Sequence, residues 1–223
     1  MKKNLLWEAI LKFLLGVALV GVLIFLPAGT LRFPGGWLLM GILFVPMFLA
    51  GLVMLKKNPG LLKSRLDAKE KRAEQDLVVK LSGLMFLAGF VIAGLDFRFR
   101  WLPLPSWVNW VAAVLFLISY VLYAEVLREN TYLSRTIEVR DGQKVVDTGL
   151  YGIVRHPMYS ATLLLFLSMP LVLGSVLSFL CFLFYPALIV KRLKDEEKFL
   201  EKELTGYAEY KKKVKYRLIP GIW

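Results

Sequence analysis

The chain has 223 residues, of which 57% are hydrophobic, and its formal net charge at pH 7 is +12. This apolar share exceeds that of ordinary soluble domains, so the composition indicates a membrane protein. The basic residues flank apolar segments, which favours an anionic membrane surface over nucleic acid as the partner of the charge. The one cysteine, Cys181, lies in an apolar segment, which excludes a disulfide framework and a Cys/His metal site.

Four apolar segments in the first half of the chain predict membrane helices, at residues Leu5 to Leu26, Gly35 to Leu55, Leu77 to Leu95 and Leu102 to Ala124. About 20 apolar residues suffice to cross a hydrocarbon core ~30 Å thick. The first segment has no small-residue cleavage site, and we expect it to be retained as a helix. Between the second and third, the basic loop from Lys56 to Asp76 contains leucines that predict a short helix on the membrane surface.

The uncharged stretch from Met158 to Val190 is too long for one membrane helix, because a straight helix of that length would reach about 50 Å. Pro170 and the pair Gly174-Ser175 lie near its middle and predict a tight helical hairpin. From Lys191 the sequence is rich in Lys and Glu, with apolar residues at helical spacing. The predicted fold is therefore all-α. It is a polytopic membrane helix bundle of about six membrane helices, the last two forming a hairpin, plus a cytosolic C-terminal helix.

This pattern divides the chain into an N-terminal four-helix membrane region, residues 1–128, and a C-terminal catalytic region, residues 129–223. With both termini in the cytosol, all of the 29 lysines and arginines except Arg32, Arg98 and Arg100 lie on the cytosolic side. So strong a bias predicts the orientation of a multi-pass protein, located in the cell (inner) membrane. The hairpin leaves and re-enters one face, and we expect it to bring Arg192 close to His156.

Two polar clusters flank the predicted hairpin. His156 is the only histidine and lies beside Arg155, between two tyrosines, where the chain enters the membrane. Ionisable groups at such a boundary indicate a functional site more often than a structural feature. Each residue taken alone also has a plain structural explanation. Arg192 is explained as a positive-inside anchor, and the carboxylates after it as a solvated helix face. By the same logic, most of the four C-terminal aromatic residues are interpreted as interfacial: Tyr207, Tyr210, Tyr216 and Trp223.

Together these residues form a recognisable order: Gly149-Leu150-Tyr151, then Arg155-His156-Pro157-Met158-Tyr159, then Arg192 and the pair Glu196-Glu197, and finally Tyr207, Tyr210, Arg217 and Pro220. This order resembles the isoprenylcysteine carboxyl methyltransferase family and its relatives, the phospholipid N-methyltransferases. The resemblance extends from about Asn130 to Pro220. It implies S-adenosylmethionine as the methyl donor, bound in a pocket on the cytosolic face.

The resemblance also implies roles for individual residues. Those expected to bind the cofactor are Gln143, Lys144, Val145, Val146, Tyr151, His156, Pro157, Met158, Tyr159 and Glu196. Arg192 corresponds to the residue that contacts the acceptor, Glu197 completes the acidic pair, and both are expected to be catalytic. No metal is implied. A carboxylate such as Glu196 suits the ribose hydroxyls or the amino group of the donor, and aromatic faces are favourable near its cationic sulfur.

The predicted function is therefore transfer of a methyl group to a lipophilic small-molecule or prenylated acceptor in contact with membrane lipid. A carboxylate acceptor would be oriented by Arg192 through paired hydrogen bonds. A phospholipid amine, the first alternative, would need a proton acceptor, either Glu197 or His156. Two further hypotheses are an NADPH-dependent membrane reductase resembling the steroid 5-alpha-reductases and a membrane scaffold without catalytic activity.

Overall fold

The computed structural model describes residues 2–66, 73–133, 139 and 141–223. Within these ranges the helices are α1 (Lys2–Ala28), α2 (Pro34–Lys57), α3 (Pro59–Leu66), α4 (Ala73–Phe99), α5 (Ser106–Glu129), a 3₁₀ helix (Gly149–Gly152), α6 (Pro157–Val172), α7 (Val176–Phe182), α8 (Tyr185–Glu203) and α9 (Tyr207–Lys213). Helix α3 is the short helix predicted in the basic loop. The loop residues Lys69, Lys71 and Arg72 lie outside the described residues.

Five helical stretches are long and apolar enough to cross a membrane, namely Asn4–Ala28, Pro34–Lys57, Gln75–Phe99, Ser106–Glu129 and Val176–Glu203, and α6 is a shorter apolar helix. Many large apolar side chains lie exposed on the outside of these helices, as at Leu26 (74%) and Val121 (70%). Such exposure suits contact with lipid rather than water. The predicted all-α polytopic bundle is confirmed. The fourth predicted membrane helix is α5. It begins at Ser106 rather than at Leu102, because Pro105 holds the backbone extended there.

The predicted hairpin turn at Gly174-Ser175 is confirmed. Gly174 has a φ of +76°, a left-handed conformation that glycine adopts without strain. Ser175 caps α7 by accepting a hydrogen bond from the Ser178 N–H (3.1 Å), and its own hydroxyl donates to Asp96 Oδ2 of α4. The Asn109 amide of α5 donates to the Val172 carbonyl (2.8 Å). The turn is thereby held against α4 and α5.

The Lys/Glu-rich segment from Lys191 is helical, as predicted, but it is continuous with the hairpin. Helix α8 runs from Tyr185 to Glu203, so the second leg of the hairpin continues directly into the Lys/Glu-rich segment. The interruption lies earlier, at Leu183 and Phe184, just before Pro186, which has no N–H to continue the helical ladder. The charged residues of α8 are therefore fixed in direction by the buried half of the same helix.

Close packing of α4 against its neighbours sets the position of the hairpin. A Cβ on Gly89 would lie 2.3 Å from the Phe182 ring of α7, and one on Gly94 would lie 2.5 Å from the Ile24 carbonyl of α1. These two glycines let the helices approach more closely than any larger residue allows. The hairpin is thus held between α4 and α5, with the start of α6 and the charged half of α8 at the same end.

Candidate functional site

A cavity of about 100 Å³ lies at the end of the bundle where α6 begins, opposite the Gly174 turn. Its lining includes Arg192 and nine of the ten residues predicted to bind the cofactor: Gln143, Lys144, Val145, Val146, Tyr151, His156, Met158, Tyr159 and Glu196. The tenth, Pro157, is buried as the first residue of α6 and does not line the cavity. The two clusters that flank the hairpin in sequence therefore meet in space.

The C-terminal segment holds the start of the histidine motif in place. The backbone N–H groups of Arg155 and His156 donate to the carbonyls of Tyr216 and Arg217, each at 2.9 Å. The Arg155 guanidinium donates further hydrogen bonds to the Val214 and Lys215 carbonyls, at 2.8 and 2.9 Å. These bonds fix the backbone from which α6 departs. Residues 214–217 thus hold the start of α6 in position.

Glu197 lies behind the cavity wall, with only 3% of its surface exposed, and is not among the described lining residues. Its carboxylate accepts hydrogen bonds from Arg155 Nε (2.7 Å) and Arg217 Nε (3.0 Å), and its Oε1 lies 3.3 Å from His156 Nε2. Two guanidinium groups therefore compensate its buried charge. The catalytic role of Glu197 stays a prediction, whereas its contacts hold Arg155 and His156 in position.

Tyr159 connects the two helices of the hairpin at the cavity. Its hydroxyl donates to Glu196 Oε2 and accepts a hydrogen bond from Arg192 Nε at 3.0 Å. Arg192 and Glu196 are four residues apart on α8, so both lie on one face of that helix. The His156 ring stacks beside Tyr159, with 5.8 Å between the ring centroids. A carboxylate, a phenol and a guanidinium thus form one connected group on the cavity wall.

The 3₁₀ helix on another side of the cavity depends on a glycine. Gly149 has a φ of +51°, and a Cβ there would lie 1.3 Å from Glu129 Oε1. The other carboxylate oxygen of Glu129 accepts a hydrogen bond from the Leu150 N–H (2.9 Å). This contact anchors the 3₁₀ helix to the end of α5. It also positions Tyr151, whose hydroxyl accepts a hydrogen bond from Asn130 (3.0 Å).

The family resemblance included two further tyrosines of the site but gave them no role. Tyr207 and Tyr210, interpreted above as interfacial, are buried and line the cavity. The Tyr210 hydroxyl donates to the Tyr151 carbonyl (2.8 Å). Burial, followed by the nearby Glu197 carboxylate, raises the pKa of Tyr207, and burial together with Tyr151 raises that of Tyr210. Both phenols therefore stay neutral hydrogen-bond donors. Their spacing of three residues in a short helix was the available signal, since it places both on one face.

Comparison with known families now bears on this geometry. Residues 106–205 match the family model described as phospholipid methyltransferase. The match runs from α5 to just past the end of α8 and includes the histidine motif, the hairpin and Arg192. This part of the chain is therefore similar to the phospholipid methyltransferase family. The resemblance found in the sequence to that group of membrane methyltransferases is thereby confirmed.

Similar curated proteins carry other names. The chain is 36% identical over 91 residues to the Delta(14)-sterol reductase TM7SF2 of Mus musculus, covering 40% of this chain and 22% of the relative. It is 28% identical over 127 residues to a probable 7-dehydrocholesterol reductase of Acanthamoeba polyphaga mimivirus, covering 49% and 28%. It is 29% identical over 93 residues to the Delta(14)-sterol reductase of Methylotuvimicrobium alcaliphilum, covering 40% and 22%.

The chain spans only about a quarter of the length of these relatives. The C-terminal half of the chain is therefore similar to membrane enzymes of two kinds. One kind is named for methyl transfer, and the other for the reduction of sterols.

Proposed function

We propose that the chain is an integral membrane methyltransferase that uses S-adenosylmethionine to methylate a lipophilic acceptor, with the cavity and both termini on the cytosolic side. The observation that carries the proposal is the convergence of nine predicted cofactor residues and Arg192 on one cavity. That cavity belongs to a domain whose family is named for methyl transfer. The orientation follows from the strong bias of Lys and Arg toward one side.

The residues of the cavity fit this donor. Glu196 presents a carboxylate that suits the ribose hydroxyls or the amino group, and the tyrosine rings suit a cationic sulfur. The buried Tyr207 hydroxyl has no hydrogen-bond partner among the described residues, so it can donate to an acceptor atom of a ligand. When bound, S-adenosylmethionine supplies an electrophilic methyl group. The residues named here would hold and orient it, which is the main task in a displacement reaction.

The geometry around Arg192 favours a carboxylate acceptor. Tyr159 accepts a hydrogen bond from Arg192 Nε and so fixes the plane of the guanidinium. A fixed planar guanidinium orients a carboxylate through paired hydrogen bonds. The carboxylate is already nucleophilic, so the protein has no proton to remove. The lipophilic part of the acceptor would enter from the membrane, between the helices.

The same residues are less suited to an amine acceptor. Its attack requires loss of a proton, for which Glu197 and His156 were the candidates from sequence. Both oxygens of Glu197 already accept hydrogen bonds from guanidinium groups, and His156 Nε2 faces Glu197. Glu197 therefore has no oxygen free of a guanidinium partner, and His156 could accept a proton only at Nδ1. We therefore place phospholipid amine N-methylation second to carboxylate O-methylation.

A membrane reductase is the second candidate function, because the similar curated proteins are named as sterol reductases. A reductase of this kind would use NADPH, which brings a pyrophosphate and a 2′-phosphate. The cavity lining carries the cations Lys144, Arg155 and Arg192 beside the Glu196 carboxylate, so its charge is compatible with these anionic groups. We rank the methyltransferase first because the match to the phospholipid methyltransferase model includes the histidine motif and Arg192.

The purified protein, reconstituted with a total lipid extract and methyl-labelled S-adenosylmethionine, tests the proposal. We expect label to enter the organic phase. Mild alkali should then release the label as volatile methanol, since a methyl ester hydrolyses whereas an N-methyl group does not. Label that withstands alkali would indicate an amine acceptor. No incorporation, together with NADPH-dependent reduction of a lipid in the same extract, would favour the reductase.

A further inference from the structure

Tyr207 differs from the other two tyrosines on its side of the cavity. Tyr210 donates its hydroxyl proton to the Tyr151 carbonyl, and the Tyr151 hydroxyl accepts a hydrogen bond from Asn130. The hydroxyl of Tyr207 is buried and has no partner among the described residues. The residue is 4% exposed.

A buried hydroxyl without a partner costs stability, and each case in a folded protein calls for an explanation. The Tyr207 hydroxyl lies within electrostatic range of Glu197 and Glu196 but is bonded to neither. Since burial and these acids raise its pKa, the phenol keeps its proton and can act only as a neutral group. A ligand in the cavity could accept a hydrogen bond from Tyr207 without breaking a bond to any described residue.

Tyr207 and Glu196 both line the cavity, and a group that bonds to both must accept one hydrogen bond and donate another. An alcohol does both, because its oxygen accepts from the phenol while its proton goes to the carboxylate. The proposed methyl donor carries two such hydroxyls, on its ribose. We propose that Tyr207 and Glu196 bind one ribose hydroxyl of the donor between them. This inference rests on the proposed function and gives a binding role to Tyr207, which the resemblance included without a role.

The test is the affinity of the detergent-purified protein for S-adenosylhomocysteine, measured by isothermal titration calorimetry. Tyr207→Phe removes only the hydroxyl and should weaken binding about 5-fold to 10-fold, the loss of one neutral hydrogen bond. The thermal unfolding midpoint should stay the same or rise, because no internal bond is lost. Tyr210→Phe is the matched control. It breaks the bond to Tyr151, so its midpoint should fall.

Deoxy analogues of the ligand locate the contact. The wild type should lose affinity for either the 2′-deoxy or the 3′-deoxy form. Tyr207→Phe should lose about 5-fold to 10-fold less affinity for that same form, because only the bond to Glu196 remains to be lost. Equal affinity of Tyr207→Phe and the wild type for S-adenosylhomocysteine would overturn the inference and leave the proposed function standing. If Tyr207→Phe lost as much affinity for the deoxy form as the wild type does, the contact between Tyr207 and the ribose would be refuted. No binding by the wild type would overturn the proposed function, and this inference with it.

Discussion

Glu197 of α8 and Arg155 of the histidine motif form a buried ion pair, with 2.7 Å between Glu197 Oε1 and Arg155 Nε, although 42 residues separate them in the sequence. The same carboxylate binds Arg217 near the C-terminus. Three distant segments therefore meet on one side chain. We infer that Glu197 assembles the wall of the cavity, while its neighbour Glu196 faces the cavity itself.

Glu197→Gln should destabilise the protein strongly. The substitution keeps the shape of the side chain but leaves Arg155 and Arg217 without their counter-charge, and breaking a buried pair costs about 3–5 kcal/mol. The thermal unfolding midpoint in detergent should fall by on the order of 10 °C. Glu201→Gln is the control, because Glu201 pairs with Lys211 at the surface, where an ion pair contributes little. Equal shifts in the two variants would refute the structural role.

Glu196→Gln should show the opposite pattern. The glutamine oxygen can still accept the Tyr159 hydrogen bond, so the unfolding midpoint should stay within about 2 °C of the wild type. The loss of a charged hydrogen-bond acceptor should weaken S-adenosylhomocysteine binding by at least about 10-fold. Calorimetric titration of both variants measures this. Unchanged affinity would remove Glu196 from the predicted cofactor residues.

Arg192→Lys separates binding of the acceptor from binding of the cofactor. Lysine keeps the charge but loses the planar guanidinium that Tyr159 orients. Affinity for S-adenosylhomocysteine should stay within about 2-fold, whereas the labelling rate of a carboxylate acceptor should fall by at least about 10-fold, the cost of a lost charged hydrogen bond. A normal labelling rate would mean that Arg192 is structural or that the acceptor is an amine.

Gly149→Ala tests the wall formed by the 3₁₀ helix. The added Cβ would collide with the Glu129 carboxylate and is also strained by the positive φ. Gly142→Ala is the matched control, because Gly142 has a φ of +71° but open space around its Cα. We expect the Gly142 variant to lose about 1 kcal/mol of stability from backbone strain alone. The Gly149 variant should unfold at a clearly lower temperature, and similar midpoints would contradict the packing described here.

The sequence was sufficient to predict the hairpin and the meeting of its two flanking clusters. An uncharged stretch with Pro170 and Gly174-Ser175 at its middle has few ways to fit a bilayer. A hairpin necessarily returns Arg192 to the face that His156 leaves. These conclusions depend on length and polarity, which are local properties of the sequence.

The different roles of Glu196 and Glu197 could not be predicted in the same way. Neighbouring residues on a helix point about 100° apart, so one faces the cavity when the other faces inward. Which one does so depends on the rotation of α8, and that rotation is fixed by packing along its buried half. It depends also on Arg217, which reaches Glu197 from the C-terminal segment. The burial of Tyr207 could not be predicted for the same reason, since it depends on tertiary packing.

Calorimetric titration of the detergent-purified wild type tests most directly whether the cavity binds a methyl donor. S-adenosylhomocysteine should bind with a measurable heat, and a large excess of NADPH or of adenosine 2′,5′-bisphosphate should not displace it. Binding of adenosine 2′,5′-bisphosphate without any binding of S-adenosylhomocysteine would contradict the account and favour a reductase.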